Sequence, residues 1–225
     1  MNIVSIMGSP NGMEGNTGKL LGAVLDGVRE GGAEVEEFCL QDLDVQPCDA
    51  CEACHVGGTC VIDDDFEMIK AAMLEADGVI FASPNYIRSV TAQMKALFDR
   101  CAGLLHIQAL EGKYGAAVVT SGSEQSLQVE EYIKGFIRSL GAFSTGSVGA
   151  AAFEVQDSGQ WPEIEEDARS VGRGLVEAIR GEKTYPEQED EIEEFSRRMR
   201  QVVESRGEEW EFEYRYWLAR SRAPR

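Results

Sequence analysis

The sequence has no apolar stretch long enough to cross a membrane and no secretion signal. A membrane-spanning helix needs about 18 or more consecutive apolar residues, and no window of the 225 residues supplies them. The chain begins MNIVSIMGSP, without the basic segment, apolar core and small-residue cleavage site of a signal peptide. These absences predict a cytoplasmic protein with no membrane partner.

Basic side chains are scarce. The chain has 21 Lys and Arg against 40 Asp and Glu, which gives a formal net charge of −19. Such an excess of negative charge repels the phosphate backbone of nucleic acids, so no nucleic-acid partner is expected. The hydrophobic content of 43% is nevertheless enough for a full globular core.

Short apolar runs rich in β-branched residues alternate with segments of helical periodicity over the first 180 residues. Strands are predicted at residues 2–7, 33–40, 78–83, 116–122 and 145–153. Helices are predicted at residues 17–30, 65–76, 91–105, 126–140 and 163–180. This alternation predicts an α/β fold, a parallel sheet covered by helices on both faces.

A charged extension follows this region. Residues 181–188 are predicted to be a linker, residues 189–210 an amphipathic helix, and the segment EFEYRYWLA from residue 211 an aromatic tail. Aromatic clusters of this kind pack either on their own subunit or on a neighbouring one. We predict an oligomer in which Tyr214, Tyr216 and Trp217 are buried between subunits.

Two common phosphate-binding loops are absent. The sequence has no GxGxxG, and Lys19 lacks the earlier glycine and the following Ser or Thr of a Walker loop. Residues 8–17, GSPNGMEGNT, instead join the first strand to a helix, where backbone N–H groups favour phosphate. Ser9, Asn16 and Thr17 can donate hydrogen bonds there, although a plain glycine-rich turn is the alternative.

Polar loops also follow the third and fourth strands, at residues 83–86 (SPNY) and 120–126 (TSGSEQS). Ligands of open parallel sheets bind outside the carboxyl ends of the strands. The three loops are therefore predicted to converge on one ligand, with Tyr86 either against an aromatic ring or merely anchoring its loop.

Four of the six cysteines lie within fourteen residues, in PCDACEACHVGGTC. Cytoplasmic cysteines rarely form disulfides, and clustered ones more often bind metal or carry out redox chemistry. Structural zinc sites usually take two separated ligand pairs, whereas three cysteines at intervals of three, with a fourth nearby, suit an iron-sulfur cluster. The spacing thus favours one four-iron four-sulfur (4Fe-4S) cluster; zinc and a loop of reduced thiols are the alternatives. The proposed ligands are Cys48, Cys51, Cys54 and Cys60.

The other ionisable residues in this region are expected to be structural. Cys39 and Cys101 are predicted to be core thiols, and His55 and His106 structural or solvated side chains. The acidic run at residues 63–65 is predicted to cap the next helix and to form a solvated turn.

Three segments together resemble a known group of proteins: residues 8–17, residues 47–69 and ADGVIFASPNYIRSVTAQMKALFDR at residues 76–100. They are similar to the NAD(P)H-dependent FMN reductase superfamily, which has a flavodoxin-like fold with a five-stranded parallel sheet in the order 2-1-3-4-5. The CxxCxxCxxxxxC spacing resembles the iron-sulfur flavoproteins of anaerobic archaea and bacteria. The likeness covers residues 1–180, with the cysteine loop at 47–62, and leaves 181–225 as an extension.

The resemblance implies an FMN site and an electron-transfer role. The residues implied for the FMN phosphate are Ser9, Asn11, Asn16 and Thr17. Those implied for the isoalloxazine ring are Pro84, Asn85, Tyr86, Ile87, Ser121, Gly122 and Ser123. Many relatives have a basic residue where Asn11 stands, so Lys19 and the backbone would balance the phosphate charge.

The resemblance further implies a homodimer or dimer of dimers, with one subunit's cluster near the other's flavin, and a ferredoxin-like electron carrier or NAD(P)H as partner. No side chain need act as an acid or base. Two alternatives stay open: an NAD(P)H-dependent FMN or quinone reductase without a cluster, and a non-catalytic flavodoxin-like protein with a four-cysteine zinc site.

Overall fold

A five-stranded parallel sheet forms the centre of the fold. The computed structural model describes residues 1–122 and 126–222. The strands are β1 (Asn2–Met7), β2 (Glu34–Cys39), β3 (Gly78–Pro84), β4 (Tyr114–Ser121) and β5 (Phe143–Ala151). Their spatial order is β2-β1-β3-β4-β5, and every neighbouring pair is parallel, which confirms the predicted fold class.

The strand sequences explain this order. Every residue of β3 from Gly78 to Ser83 is buried, as expected for a central parallel strand covered on both faces. The edge strand β2 reads EVEEFC and exposes three glutamates, and charged side chains on an edge discourage pairing with another chain.

The helices form a layer on each face of the sheet. They are α1 (Asn16–Glu30), α2 (Ala53–Gly57), α3 (Phe66–Glu75), α4 (Ala92–Arg100), α5 (Ala102–His106), α6 (Leu127–Ser139), α7 (Ala152–Gln156), α8 (Trp161–Arg180), α9 (Pro186–Arg206) and α10 (Glu211–Arg222). The helices α1 and α8 pack together on one face, and α3, α4 and α6 cover the other. Within the described residues, no helix is both long enough and apolar enough to cross a bilayer.

Several element boundaries differ from the prediction. The strands β4 and β5 each begin and end one or two residues earlier than predicted, and α8 begins at Trp161. The helix predicted at 91–105 is divided at Cys101, whose N–H donates to the Phe98 carbonyl in a tight turn. The segment predicted as an open cysteine loop contains the short helix α2.

The extension returns to the body of the molecule. The chain between α8 and α9 is shorter than the predicted linker, because α9 begins at Pro186. The helix α9 contacts α5 and α6, and the aromatic tail is not extended chain but the helix α10, which contacts α2. The division into residues 1–180 and 181–225 stays a prediction.

The predicted burial of the aromatic tail between subunits is wrong for Trp217. Its side chain is buried within its own chain, in a small cluster with Val203 and Trp210, and its Nε1–H donates to the His106 carbonyl at 3.2 Å. Tyr214 and Tyr216 are half-buried against the same cluster. A single chain thus buries Trp217, whereas Phe212 and Leu218 of the same tail are each 40% exposed.

Candidate functional site

The loop after β1 is fixed between two neighbouring elements. The Gly8 N–H donates to the Ala82 carbonyl of β3 at 2.8 Å, and the Thr91 hydroxyl donates to the Gly8 carbonyl at 2.5 Å. Thr91 also caps α4 by accepting from the Met94 N–H. The loop therefore leaves the sheet along a defined path and reaches the first turn of α1.

The start of α1 presents hydrogen-bond donors. Its N-cap is Gly15, which has no side chain to cap the helix, so the first backbone N–H groups can receive an anion. The Asn16 Oδ1 accepts from the Gln156 amide at 3.3 Å, which leaves the Asn16 N–H₂ group as a donor. The buried Thr17 hydroxyl shares a 2.5 Å hydrogen bond with Thr120 at the end of β4.

The loop after β3 ends in a strained turn. The Tyr86 and Ser89 backbones bond each other in both directions, and the two residues between them, Ile87 and Arg88, have φ of 51° and 63°. A β-branched residue in the left-handed region is unusual, because its side chain crowds the backbone there. This turn leaves the Ile87 side chain in solvent, where it is 98% exposed. The neighbouring Tyr86 side chain is half-exposed.

These loops surround one cavity at the carboxyl edge of the sheet. Nine of the eleven residues that the sequence implicates in FMN binding line it: Ser9, Asn11, Asn16, Thr17, Pro84, Asn85, Tyr86, Ser121 and Gly122. Ile87 does not line the cavity, because the turn at 86–89 leaves its side chain exposed to solvent. Ser123 lies outside the described residues.

Two lining residues were missed by sequence reasoning. Thr120 lies in the segment 120–126 that the sequence predicted to face the ligand. The signal that could have identified it is its position directly after two buried valines, near the carboxyl end of β4. Ala152 opens α7, and an alanine in an apolar run carries no such signal.

The Lys19 side chain contacts elements that follow β5, and its predicted contribution to the phosphate charge stays a prediction. Its Nζ donates to the Val155 carbonyl at 2.6 Å and lies 3.9 Å from the centre of the Trp161 ring. Lys19 therefore fastens α1 to the elements that follow β5. An anion at the loop would be balanced by backbone N–H groups and the α1 dipole.

The close fit of the loop against α1 gives a first testable prediction. A Cβ on Gly18 would lie 2.2 Å from the Met13 carbonyl oxygen, a clash with backbone that no rotamer relieves. We expect Gly18→Ala to displace the loop and to reduce FMN affinity at least tenfold, measured by fluorescence titration of the metal-free protein.

The matched control is Gly22→Ala, one turn further along the same helix. Nothing lies within 4 Å of a Cβ at Gly22, and alanine is the better helix former by about 0.5–1 kcal/mol. This variant should bind FMN as the wild type does. Equal FMN affinity in both variants would contradict the role given to the loop.

The cysteine segment is closed at its base by a buried ion pair. Arg100 donates to the Asp64 carboxylate at 2.7 and 3.0 Å, and both side chains are almost fully buried. The Gln46 N–H donates to Asp64 at 2.9 Å, and Arg100 donates to the Gln46 carbonyl at 2.9 Å. Residues 46 and 64 are thus held together, and all four clustered cysteines lie between them.

This finding corrects part of the prediction for the acidic run. Asp63 is exposed, as a solvated turn requires. Asp65 is the N-cap residue of α3, but its carboxylate accepts from the Asp44 N–H at 2.8 Å and does not cap the helix; Asp64 accepts from the Phe66 N–H at 3.0 Å. Asp64 is not solvated, because its carboxylate is inside the molecule beneath Arg100. Burial raises the pKa of Asp64, but the hydrogen bonds from Arg100, Gln46 and Phe66 outweigh burial and lower it.

The backbone within the cysteine segment reverses several times. Ala50, Glu52 and Gly58 have φ of 57°, 61° and 78°, and α2 lies between the last two. Cys48 and Cys51 are exposed, and Cys54 and Cys60 are half-buried. Arg100 interacts with Cys60, and Lys70 donates to the Gly58 carbonyl at 2.6 Å. Two positively charged side chains therefore lie next to the cysteine segment.

The thiols do not stand at zinc spacing. Ligands of one zinc ion at about 2.3 Å are within about 4.6 Å of one another. Among the described residues, the group of three His, Cys, Asp or Glu ligand atoms within 4.8 Å is His55, His106 and Glu213, and no cysteine belongs to it.

The other cysteines and His55 are enclosed to different degrees. Cys101 is a core thiol, and burial raises its pKa to about 12. Cys39 is half-buried beside the core. His55 is structural and buried: burial lowers its pKa, but hydrogen bonds with Cys54 and Glu213 outweigh it and raise the pKa to about 10.

Known proteins resemble this chain over most of its length. Residues 1–156 match the family described as NADPH-dependent FMN reductase. An iron-sulfur flavoprotein of Archaeoglobus fulgidus is 32% identical over 96% of this chain and 97% of its own length. An iron-sulfur flavoprotein of Methanosarcina thermophila is 42% identical over 57% of this chain and 67% of its own. A solved NADH:FMN oxidoreductase superposes with a TM-score of 0.59 at 23% identity, covering 83% of this chain and 92% of that one.

The sheet order, the polar cavity at the strand ends and the family match define an FMN-dependent oxidoreductase of flavodoxin-like fold. The cysteine loop at residues 47–62 is a further feature of this chain. The chain belongs to the NADPH-dependent FMN reductase family and, within it, to the iron-sulfur flavoproteins.

Proposed function

We propose that the protein binds FMN in the cavity at the carboxyl edge of the sheet and a 4Fe-4S cluster on Cys48, Cys51, Cys54 and Cys60. In this proposal it transfers electrons between a one-electron carrier, such as a ferredoxin-like protein, and two-electron donors or acceptors. The observation that carries the proposal is a four-cysteine loop, closed on itself by Asp64 and Arg100, on an FMN reductase fold.

On the flavin side, the residues have positioning roles. Ser9, Asn16 and Thr17 would donate hydrogen bonds to the phosphate, together with the first N–H groups of α1. Pro84, Asn85 and Tyr86 would lie along the ring with Ser121 and Gly122 on the opposite loop. Asn11, which is exposed at the loop, would contact the phosphate from the solvent side. Ile87 and Ser123 stay in the proposal as ring-binding residues.

On the cysteine side, the chain supplies ligands and charge. Thiolate is the preferred protein ligand for iron-sulfur clusters, and nearby cations and hydrogen bonds to sulfur set the reduction potential. Arg100 beside Cys60 and Lys70 beside Gly58 would offset the negative charge of four thiolates. When bound, FMN supplies chemistry in steps of one or two electrons, and the cluster supplies one-electron chemistry.

The separation of the two regions supports a homodimer or dimer of dimers. Thr91 contacts the phosphate loop at Gly8, whereas Gly103 lies next to Cys54. These residues are twelve apart in sequence, on opposite sides of the turn at Cys101 that divides α4 from α5. Electron transfer favours short gaps, so a second copy would bring its cysteine loop closer to the flavin. The mass in solution, measured by light scattering, tests this point.

The test of the proposed function is cofactor analysis of protein purified without oxygen. We expect FMN and not FAD by mass spectrometry, because the loop suits a terminal phosphate and lacks the glycine spacing for a pyrophosphate. Four irons and four sulfides per chain are expected, with visible absorption in addition to that of the flavin.

Different results would support the alternatives. FMN without iron would indicate a plain NAD(P)H-dependent FMN or quinone reductase. Zinc without flavin would indicate a non-catalytic protein with a structural metal site. FAD as the main flavin would overturn the assignment of Ser9, Asn16 and Thr17 to a terminal phosphate.

A further inference from the structure

Glu213 of α10 is a fully buried carboxylate that joins two histidines. Its Oε1 is 2.5 Å from the His55 Nδ1, and its Oε2 is 3.0 Å from the His106 Nδ1. His55 follows Cys54 in α2, and His106 ends α5. The carboxylate therefore ties the centre of the cysteine loop to the body of the protein through a residue 158 positions away.

Trp210 covers the same group. Its ring stacks on His55 at 4.3 Å and on His106 at 5.0 Å between centroids. Its Nε1–H donates to the Glu52 carboxylate at 3.2 Å, and Arg206 pairs with the same carboxylate at 2.8 Å. Glu52 lies between Cys51 and Ala53 and has a positive φ, so these two bonds hold the loop in an otherwise unfavourable backbone conformation.

Phe212 makes a third contact with the loop. A Cβ on Gly58 would lie 2.6 Å from the Phe212 ring, so the ring rests directly on the glycine backbone. Phe212 and Cys54 also line the same cavity, together with Lys70, Arg100 and Gly103. The segment 206–213 therefore contacts the loop at Glu52, His55 and Gly58, three points between Cys51 and Cys60.

The spacing of His55, His106 and Glu213 would also suit a metal ion. Direct hydrogen bonds occupy the carboxylate, however, because each oxygen already meets one Nδ1. This arrangement satisfies a buried charge without an ion, as buried carboxylates require. The three residues are better described as a hydrogen-bonded link between the cysteine loop and α10 than as a metal site.

We propose that Arg206, Trp210, Phe212 and Glu213 clamp the cysteine loop, and that Glu213 is a positioning residue that holds His55, and with it Cys54, in the geometry that retains the cluster. This inference rests on the proposed function, because it assigns a role towards a cluster on the four cysteines. Residues that orient metal ligands from outside are typically worth 10- to 100-fold in metal affinity.

The experiment compares three full-length variants with the wild type after anaerobic reconstitution. Glu213→Gln keeps the shape and removes the charge, Trp210→Phe keeps the stacked ring and removes the Nε1–H, and Glu208→Gln is the control. Glu208 lies between α9 and α10, and its side chain is exposed. Replacing it with glutamine changes the net charge by the same amount as Glu213→Gln does. The readouts are the rate of iron release to a ferrous chelator, the reduction midpoint of the cluster, and FMN content.

We expect Glu213→Gln to release iron 10- to 100-fold faster and to shift the reduction midpoint, with FMN content unchanged. Trp210→Phe should release iron several-fold faster, and Glu208→Gln should match the wild type. Release rates within twofold of the wild type for Glu213→Gln and Trp210→Phe, with unchanged midpoints, would overturn the proposal. If the Glu213→Gln protein loses FMN because it does not fold, the proposal is judged on the iron-release rate and reduction midpoint of Trp210→Phe alone.

A metal-free readout separates this inference from the proposed function. If the wild type holds no iron, the proposed function fails, and the clamp is tested by the rate at which an alkylating reagent modifies Cys54. Glu213→Gln should then expose Cys54 at least tenfold more, while the already exposed Cys48 reacts at an unchanged rate. Equal Cys54 rates in both proteins would overturn the clamp.

Discussion

Replacing Cys54 with Ser is expected to abolish the cluster and leave FMN bound. A serine hydroxyl is a much poorer iron ligand than a thiolate, and the change in volume is small. The FMN cavity contains no cysteine among its described lining residues, so flavin content should stay at one per chain. Iron and sulfide should fall from four to none, and electron transfer to a one-electron protein partner should collapse.

Iron, sulfide and FMN are measured in one sample, together with the rate at which dithionite reduces the flavin. Dithionite should still reduce the flavin in the variant. Cys101→Ala is the control, because Cys101 is a fully buried thiol outside the loop. This variant should keep the iron that is bound at the four clustered cysteines. The hypothesis would be falsified by an iron-free Cys54→Ser protein that still passed electrons to ferredoxin at the wild-type rate. The thiols would then have a structural role.

Asp64→Ala is expected to destabilise the fold by about 3–5 kcal/mol, which is typical when one partner of a buried ion pair is removed. Arg100 would be left buried without its carboxylate, and the Gln46 and Phe66 N–H groups would lose their acceptor. Urea unfolding of the FMN-loaded protein at neutral pH measures the loss. The base of the cysteine loop should open in the same variant, seen as faster iron release.

The matched control is Asp63→Ala, which removes an exposed neighbour and should change stability by less than about 0.5 kcal/mol. A pH series gives a second check. Because folding lowers the pKa of Asp64, its contribution is present above the unfolded value of about 3.9 and is lost as pH falls through the lower folded value. The stability difference between wild type and Asp64→Ala should therefore shrink in acid. A constant difference down to pH 2.5 would argue against the ion pair.

The sheet and the flavin cavity could be foreseen because their signals are local. Each strand is a short apolar run, and parallel strands bring their carboxyl ends to one edge. Ser9, Pro84 and Ser121 follow three different strands and line one cavity for that reason. The outward turn of Ile87 was missed because YIRS contains no glycine or asparagine to mark two successive left-handed residues.

The missed contacts join residues that are far apart in sequence. Asp64 reads locally as a capping residue, and its burial depends on Arg100, 36 residues later. Lys19 follows the phosphate loop, yet its partners Val155 and Trp161 belong to the opposite end of the domain sequence. The two histidines were expected to be structural, but no spacing in the sequence connects them with Glu213.

The position of the clamp at the end of the chain has a consequence for how the protein is made. Glu213 leaves the ribosome 158 residues after His55, which at 5–20 residues per second corresponds to about 8–30 s. During that interval the cysteines have been synthesised, whereas the helix that covers them has not. Iron and sulfide can therefore reach all four thiols from solvent before α10 is made, whereas in the complete chain Cys54 is half-buried in a cavity that Phe212 helps to line.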